Sequence, residues 1–150
     1  MKIGYMGIPG SFSEVAAHEL VKQSGFENVS YLPLICAKNI LEALQNGTID
    51  YGVLGVENST AGPVGVDYDH LDTFILPIHH CLFKKSADIS MEHLTEVASH
   101  PQALSQTKNT RAASCPSLKE HEIDDTAIGA EWLSKGELPD TSAVICSKNA

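Results

Sequence analysis

The fold is decided by residues 3–56, which read IGYMGIPGSFSEVAAHELVKQSGFENVSYLPLICAKNILEALQNGTIDYGVLGV. Three short runs rich in apolar residues, at 3–6, 29–34 and 51–56, predict strands. Two stretches with helical spacing of apolar residues separate these runs. The resulting order of strand, helix, strand, helix and strand favours a parallel, doubly wound sheet.

Residues typical of helix starts or ends flank both predicted helices. Ser11 and Glu14 have the spacing of a capping box, in which the serine hydroxyl and the glutamate carboxylate satisfy backbone N–H groups at the helix start. Gly25 is a plausible stop for this helix, and Gly47 closes the second one. These signals set the approximate lengths of the helices.

The rest of the chain predicts a second α/β lobe. Residues 57–72 (ENSTAGPVGVDYDHLD) show no helical period and are interpreted as a crossover between lobes. Strands are expected at 74–83, 96–99 and 142–146, with helices that begin at Pro101 and at Asp124–Asp125. The predicted fold class is therefore α/β with two small doubly wound lobes. Their expected bounds are about 1–60 and about 74–150, joined by a crossover at about 57–73.

Composition and charge exclude several classes of function. The 150 residues carry a formal net charge of −9, so a nucleic-acid partner is not expected. The four cysteines are far apart and indicate reduced thiols rather than a zinc site or a disulfide framework. The sequence shows neither a signal peptide nor an apolar run of membrane-spanning length, which predicts a cytoplasmic protein with no membrane partner.

Polar residues cluster where predicted strands lead into helices or loops. The four junctions are Ser11–Ser13, Glu57–Thr60, Ser99–Gln102 and Asp125–Thr126. Helix N-termini at such junctions present unpaired N–H groups and a partial positive charge, so they hold carboxylates without a lysine or arginine. This pattern predicts a site for a small anion. The alternative is that these side chains only cap helices.

Two other patterns argue against a metal or nucleotide site. His79, His80 and Cys81 resemble a metal cluster by composition, but in a strand adjacent side chains point to opposite faces and cannot share one ion. The turn at residues 7–10 lacks the Lys-Ser/Thr ending of a phosphate-binding loop. Neither a metal nor a nucleotide is expected.

Five segments, in the same order, resemble motifs of the prephenate dehydratase family and together cover nearly the whole chain. They are GIPGSFS at residues 7–13, VENS at 56–59 with Gly62 and Val64, LPIHHCL at 76–82, SHPQALSQ at 99–106 and DTA at 125–127. Each segment alone is a modest match. The shared order of all five makes the resemblance specific.

The resemblance implies a fold like that of type II periplasmic binding proteins and a carbon–oxygen lyase reaction. That reaction converts prephenate into phenylpyruvate, with loss of water and carbon dioxide, in phenylalanine biosynthesis. No metal or organic cofactor is implied. By the matching motifs, the implied catalytic residues are Asn58, Ser99 and Gln106. The implied substrate-binding residues are Ser11, Glu57, Ser59, Thr60, Gln102 and Thr126.

The sequence also departs from the family pattern. In the family a T-R-F signature, and in many members an amino-acid-sensing domain, follow the position that corresponds to Ala150, so the sequence is expected to lack both. Asn109–Arg111 is interpreted as a chance likeness to T-R-F. Thr107 stands where the family usually has cysteine. Activity is therefore in doubt, and two alternatives stay open. One is an impaired relative that binds prephenate or a similar dicarboxylate, and the other is altered chemistry such as decarboxylation without aromatisation. An exposed sheet edge in the first lobe would be covered by a second copy, so a homodimer is expected.

Overall fold

A computed structural model gives the structure of the protein and describes residues 1–58, 62–63 and 75–150, with the backbone alone at 57–58 and 62–63. The chain divides into two compact units, residues 1–78 and 79–150. Each unit has its own sheet, helices and core. The predicted site residues Ser59 and Thr60 lie outside the described residues, as does most of the predicted crossover.

The first unit follows the predicted order of strands and helices. Its elements are β1 (Lys2–Tyr5), α1 (Phe12–Ser24), β2 (Ser30–Pro33), α2 (Ala37–Gln45), β3 (Tyr51–Val53), β4 (Glu57–Asn58) and β5 (Gly62–Pro63). The strand order β2-β1-β3 is parallel throughout, and β4 pairs with β5 in a separate antiparallel ribbon. The third strand ends at Val53, three residues earlier than predicted.

The helices of the first unit cover opposite faces of its sheet. Ile3, Tyr5 and Val53 pack with Ala17 of α1. On the other face, α2 contributes Ile40 and Ala43, which pack with Ile49 and with partly buried apolar side chains from the strand ends. Packing of helices on both faces makes the unit doubly wound, as predicted.

The start of α1 differs from the predicted capping box in one contact. The Ser11 hydroxyl accepts a hydrogen bond from the Glu14 N–H at 3.3 Å, as expected. The Glu14 carboxylate, however, accepts from the Gly10 N–H at 2.7 Å rather than from Ser11. The reason is that the Ser11 N–H already donates to the Ile8 carbonyl in the preceding turn. Gly25 ends the helix at φ 66°, as predicted.

The second unit has a mixed four-stranded sheet. Its elements are β6 (Cys81–Lys84), a 3₁₀ turn (Met91–His93), β7 (Glu96–Ser99), α3 (Pro101–Ser114), β8 (Lys119–Glu122), α4 (Thr126–Lys135) and β9 (Ser142–Cys146). The strand order is β6-β9-β7-β8, in which β6 is antiparallel to β9 and the other pairs are parallel. The predicted strands at 96–99 and 142–146 and the helix beginning at Pro101 are confirmed.

The core of the second unit lies on both sides of β9, whose five residues are all buried. Ala143 and Ile145 face Leu104 of α3. Val144 and Cys146 face the other way and pack with Leu133 of α4. A strand buried on both faces reads as a continuous apolar run, which is why its limits could be predicted from sequence.

One predicted strand was misplaced, and one observed strand was not predicted. The strand expected at 74–83 begins only at Cys81, and residues 75–80 have no regular structure. Pro77 lacks the N–H that a strand ladder needs, and Ile75 is 93 % exposed despite being apolar. Conversely, β8 was not predicted, because its sequence KEHE is polar and exposed at every position. No helix in the described part of the chain is long and apolar enough to span a membrane.

Candidate functional site

The sheet of the second unit brings several predicted site residues to one edge. Strands β7, β8 and β9 are parallel, so their carboxyl ends lie at the same side of the sheet. Strand β6 runs the other way, and its first residue, Cys81, pairs with the last residue of β9, Cys146. We define the carboxyl edge as His80, Ser99–Gln102, Gln106, Asp125–Thr126 and Ser147. In open α/β sheets this is the edge at which ligands bind.

Ser99 lies at the end of β7 and holds the carboxyl edge together. Its side chain is fully buried, and its hydroxyl donates to the Ile145 carbonyl of β9 at 2.6 Å. Its own carbonyl accepts from the Ile123 N–H, which follows β8. The Ser99 hydroxyl therefore links neighbouring strands, and its oxygen lone pairs remain acceptors. The interpretation of Ser99 as a catalytic residue stays a prediction.

Helix α3 begins at Pro101, two residues after Ser99, and the histidine between them caps its first turn. The His100 Nδ1 atom accepts from the Gln102 N–H at 3.2 Å, and Pro101 takes the first helical position. Gln102 itself is half-buried. A histidine cap is a contact that the sequence pattern did not predict, since serine, threonine and acidic residues are the preferred caps.

Gln106 lies one turn further along α3 and contacts a histidine from another part of the chain. The His80 Nε2 atom is 2.8 Å from the Gln106 Oε1 atom, and both side chains are half-buried. Sequence reasoning missed His80, because the strand predicted for 74–83 enclosed it. The signal available in the sequence was the place of His80 in the LPIHHCL segment. The structure adds that the strand after His80 runs antiparallel to β9.

Helix α4 begins at the same edge behind an acidic cap. The Asp125 carboxylate accepts from the Ala127 N–H at 2.7 Å, which confirms the predicted role of this aspartate. Thr126 is the first residue of the helix and is half-buried. The carboxylate of Asp125 already uses part of the helix N-terminus, so an anionic ligand there would meet a negative neighbour.

In the turn after β1 in the first unit, a carboxylate of the protein also accepts a backbone hydrogen bond. The Glu14 carboxylate accepts from the Gly10 N–H and from the Tyr5 hydroxyl, the latter at 3.0 Å. Burial, followed by the hydrogen bond to Glu14, raises the pKa of Tyr5 well above its ordinary value. The Ser11 hydroxyl also donates to the Met6 carbonyl. A carboxylate of the protein thus already accepts from one backbone N–H of the turn that precedes α1, and the substrate-binding role implied for Ser11 stays a prediction.

The predicted site residues at 57–60, in the first unit, are described only in part. Glu57 and Asn58 form β4, in which Asn58 pairs with Gly62. Ser59 and Thr60 lie outside the described residues. The roles implied for all four stay predictions.

Arg111, the arginine of the Asn109–Arg111 segment, has a structural position in α3. It is 8 % exposed, and its Nη2 atom donates to the Glu120 carboxylate at 2.5 Å and to the Leu104 carbonyl at 2.8 Å. Its Nε atom donates to the Thr107 hydroxyl, which in turn donates to the Ala103 carbonyl. The contact with Glu120 ties α3 to β8, and the interpretation of this segment as a chance likeness to T-R-F stays a prediction.

The described residues at the carboxyl edge are suited to holding an anion through neutral donors. Backbone N–H groups and the carboxamides of Gln102 and Gln106 can each donate to a carboxylate. Within the described ranges, no three histidine, cysteine or acidic side chains lie together as metal ligands would. The chemistry available here is hydrogen bonding and orientation of a small polar molecule.

Comparison with known proteins agrees with the resemblance. The sequence model of the prephenate dehydratase family matches residues 3–150. Arogenate dehydratase 1 of Petunia hybrida is 33 % identical over 158 residues, covering 100 % of this chain and 36 % of the relative. Prephenate dehydratase of Lactococcus lactis is 32 % identical over 142 residues, covering 89 % of this chain and 48 % of the relative. The chain thus spans less than half the length of these relatives.

A solved structure supports the same fold. Prephenate dehydratase from Arthrobacter aurescens, in complex with L-Phe, superposes with a TM-score of 0.74 at 19 % identity. The alignment covers 99 % of this chain and 50 % of that one. The predicted fold class, α/β with two small lobes like those of periplasmic binding proteins, is confirmed.

Proposed function

Because the chain belongs to the prephenate dehydratase family, we propose that it binds prephenate and converts it into phenylpyruvate. The observation that carries the proposal is the carboxyl edge of the second unit. There the half-buried carboxamide of Gln106 lies at a sheet edge suited to ligands, with its oxygen against His80. A protein of net charge −9 gains no general attraction for a dianion and must rely on such local donors.

The reaction depends on orienting the substrate and on donating one proton. It does not depend on a strong nucleophile. The bond from the ring to its carboxylate breaks, and its electron pair enters the ring as carbon dioxide leaves. The ring hydroxyl leaves with a proton as water, and the ring becomes aromatic. Holding both carboxylates in a fixed geometry lowers the entropic part of the barrier, and a proton donor assists the departing hydroxyl. The Gln106 carboxamide offers N–H donors for the first of these needs.

Replacement of Gln106 tests the binding part of this proposal. Gln106→Leu removes a hydrogen bond to a charged ligand and is expected to raise the Kd for prephenate about 10–100-fold. Calorimetry measures the affinity, and phenylpyruvate absorbance in alkali measures turnover. Gln45→Leu, an exposed glutamine at the end of α2, is the matched control. An unchanged Kd in Gln106→Leu would contradict the proposed site.

The same assay separates three related functions. Phenylpyruvate formation above the spontaneous rate supports the dehydratase. Binding without turnover indicates an impaired relative that retains the ligand, and a product that keeps the ring hydroxyl indicates decarboxylation without aromatisation. Since one relative is named arogenate dehydratase, arogenate belongs in the assay as a second substrate.

We also propose that the protein is a cytoplasmic homodimer. Among the described strands, β3 pairs on one side only, with β1, so its other side offers unpaired backbone groups. Pairing with a second copy would cover this edge. Light scattering coupled to size-exclusion chromatography tests the proposal, and a monomer at micromolar concentration would contradict it.

A further inference from the structure

The hydrogen bond between His80 and Gln106 joins two elements that are 26 residues apart in sequence. His80 directly precedes β6, whose first residue pairs with the end of the buried strand β9. Gln106 lies on α3, which is anchored by the buried side chains of Ala103 and Leu104. Because both partners are attached to packed elements, their 2.8 Å contact is fixed by the fold of the second unit.

We propose that His80 is a positioning residue that sets the orientation of the Gln106 carboxamide for binding an anionic substrate. This inference rests on the proposed function. A carboxamide has an acceptor on one side and two N–H donors on the other, and the two orientations differ by a half-turn. When the His80 Nε2 atom carries a proton, it donates to the Gln106 oxygen and directs the N–H donors away from itself.

Only one of the two arrangements is suited to an anionic ligand. If His80 carried its proton on Nδ1, its Nε2 atom would accept from the Gln106 amide, and the amide oxygen would take the opposite side. A carbonyl oxygen facing a substrate carboxylate is repulsive, whereas N–H donors are attractive. Binding of an anion by Gln106 therefore requires a His80 that donates from Nε2. Fixing the glutamine rotamer beforehand also reduces the entropy that is lost on binding.

Substitutions at His80 test the positioning role. His80→Leu removes the donor and is expected to raise KM and Kd for prephenate about tenfold, with a smaller change in kcat. His80→Gln places an N–H donor near the former Nε2 position and is expected to restore most of the affinity. His79→Leu makes the same change at the exposed neighbouring histidine and serves as the control.

A double-variant cycle distinguishes positioning from a structural effect. In a Gln106→Leu background, His80→Leu is expected to leave Kd unchanged, because the group that it positions is already absent. A tenfold loss in that background would overturn the inference. So would wild-type affinity in His80→Leu while the wild-type protein binds prephenate. If the wild-type protein fails to bind prephenate, the proposed function and this inference both fall.

Nitrogen NMR of the histidine side chains tests the inference on the unaltered protein without ligand. A neutral His80 with its proton on Nε2, or a charged His80, is the expected result. A neutral His80 protonated on Nδ1 would overturn the inference, whatever the protein binds. This measurement is decisive even if His80→Leu does not fold.

Discussion

At the scale of single residues, buried polar side chains are committed to contacts within the protein. Ser99 bonds the carbonyl of Ile145, Tyr5 bonds Glu14, and Arg111 bonds both a carboxylate and a carbonyl. A buried polar group without such a partner would cost free energy, so these contacts are conditions of the fold. Half-buried groups such as Gln106 are better placed to meet a ligand.

The Arg111 contacts predict a clear effect on stability. Arg111→Leu removes the hydrogen bond to Glu120 of β8 and those to Leu104 and Thr107 within α3. It is expected to lower the free energy of unfolding by about 1–3 kcal/mol. Glu120→Gln keeps an acceptor at a side chain that is 47 % exposed, so its effect is expected to be smaller. Urea denaturation measures both variants. Equal losses in the two variants would contradict this account.

Cys146 predicts a dependence of stability on pH. Burial, with a smaller contribution from the Cys81 thiol, raises the pKa of Cys146 from its ordinary 9.0 to about 12. Between these values the unfolded thiol ionises while the folded thiol stays neutral, so the unfolded state binds fewer protons. The contribution of Cys146 is therefore complete below about pH 9 and is lost as the pH rises towards about 12.

Urea denaturation at about pH 8 and about pH 10 checks this expectation. The free energy of unfolding is expected to fall more steeply with pH in the wild-type protein than in Cys146→Ala, which has no thiol to ionise at this position. Tyr5 is present in both proteins and cancels in the comparison. The same fall in both would contradict burial of the thiol.

At the scale of elements, close packing of β3 against α2 depends on a glycine. A Cβ atom at Gly52 would lie 2.3 Å from the Ile40 Cγ2 atom and 3.3 Å from the Leu44 Cδ1 atom. The Ile40 side chain is fully buried and branched at Cβ, so it has little freedom to move aside. The absence of a side chain at Gly52 thus sets the distance between strand and helix.

Gly52→Ala is accordingly expected to lower the free energy of unfolding by about 1–3 kcal/mol through overpacking. In an Ile40→Ala background the same change should cost less, because the clashing methyl group is absent. Thermal or urea unfolding of the four proteins in this cycle measures the coupling. If the losses of the two single variants simply added in the double variant, the expected clash between residue 52 and Ile40 would be contradicted.

At the scale of the whole molecule, net charge opposes the proposed ligand. The charge of −9 repels a dianion at long range, and salt screens that repulsion. The Kd for prephenate is therefore expected to fall as ionic strength rises from about 0.01 M to about 0.15 M. Calorimetry in two different salts at equal ionic strength separates screening from competition by one anion. A Kd that rises in both salts would indicate a locally positive site.

The family and the order of most elements were predictable from sequence, because both depend on patterns in consecutive residues. Apolar runs identified β7 and β9, Pro101 marked the start of α3, and Asp125 and Gly25 marked helix ends. The spacing of apolar residues, the preference of certain residues for helix caps and the conformation of glycine are local properties, and the structure retains them. The five motifs likewise gave the family without knowledge of any contact.

Only the tertiary structure decided which side chains meet. The KEHE strand became β8 because β7 offered it a backbone edge, not because its own residues favour a strand. Glu14 bonds Gly10 and Tyr5, and His80 bonds Gln106, because packing brings those groups within hydrogen-bond distance. Such contacts depend on the positions of whole elements, which no local pattern encodes. The sequence determined the family and most of the elements, whereas packing determined β8 and the partner of each polar group.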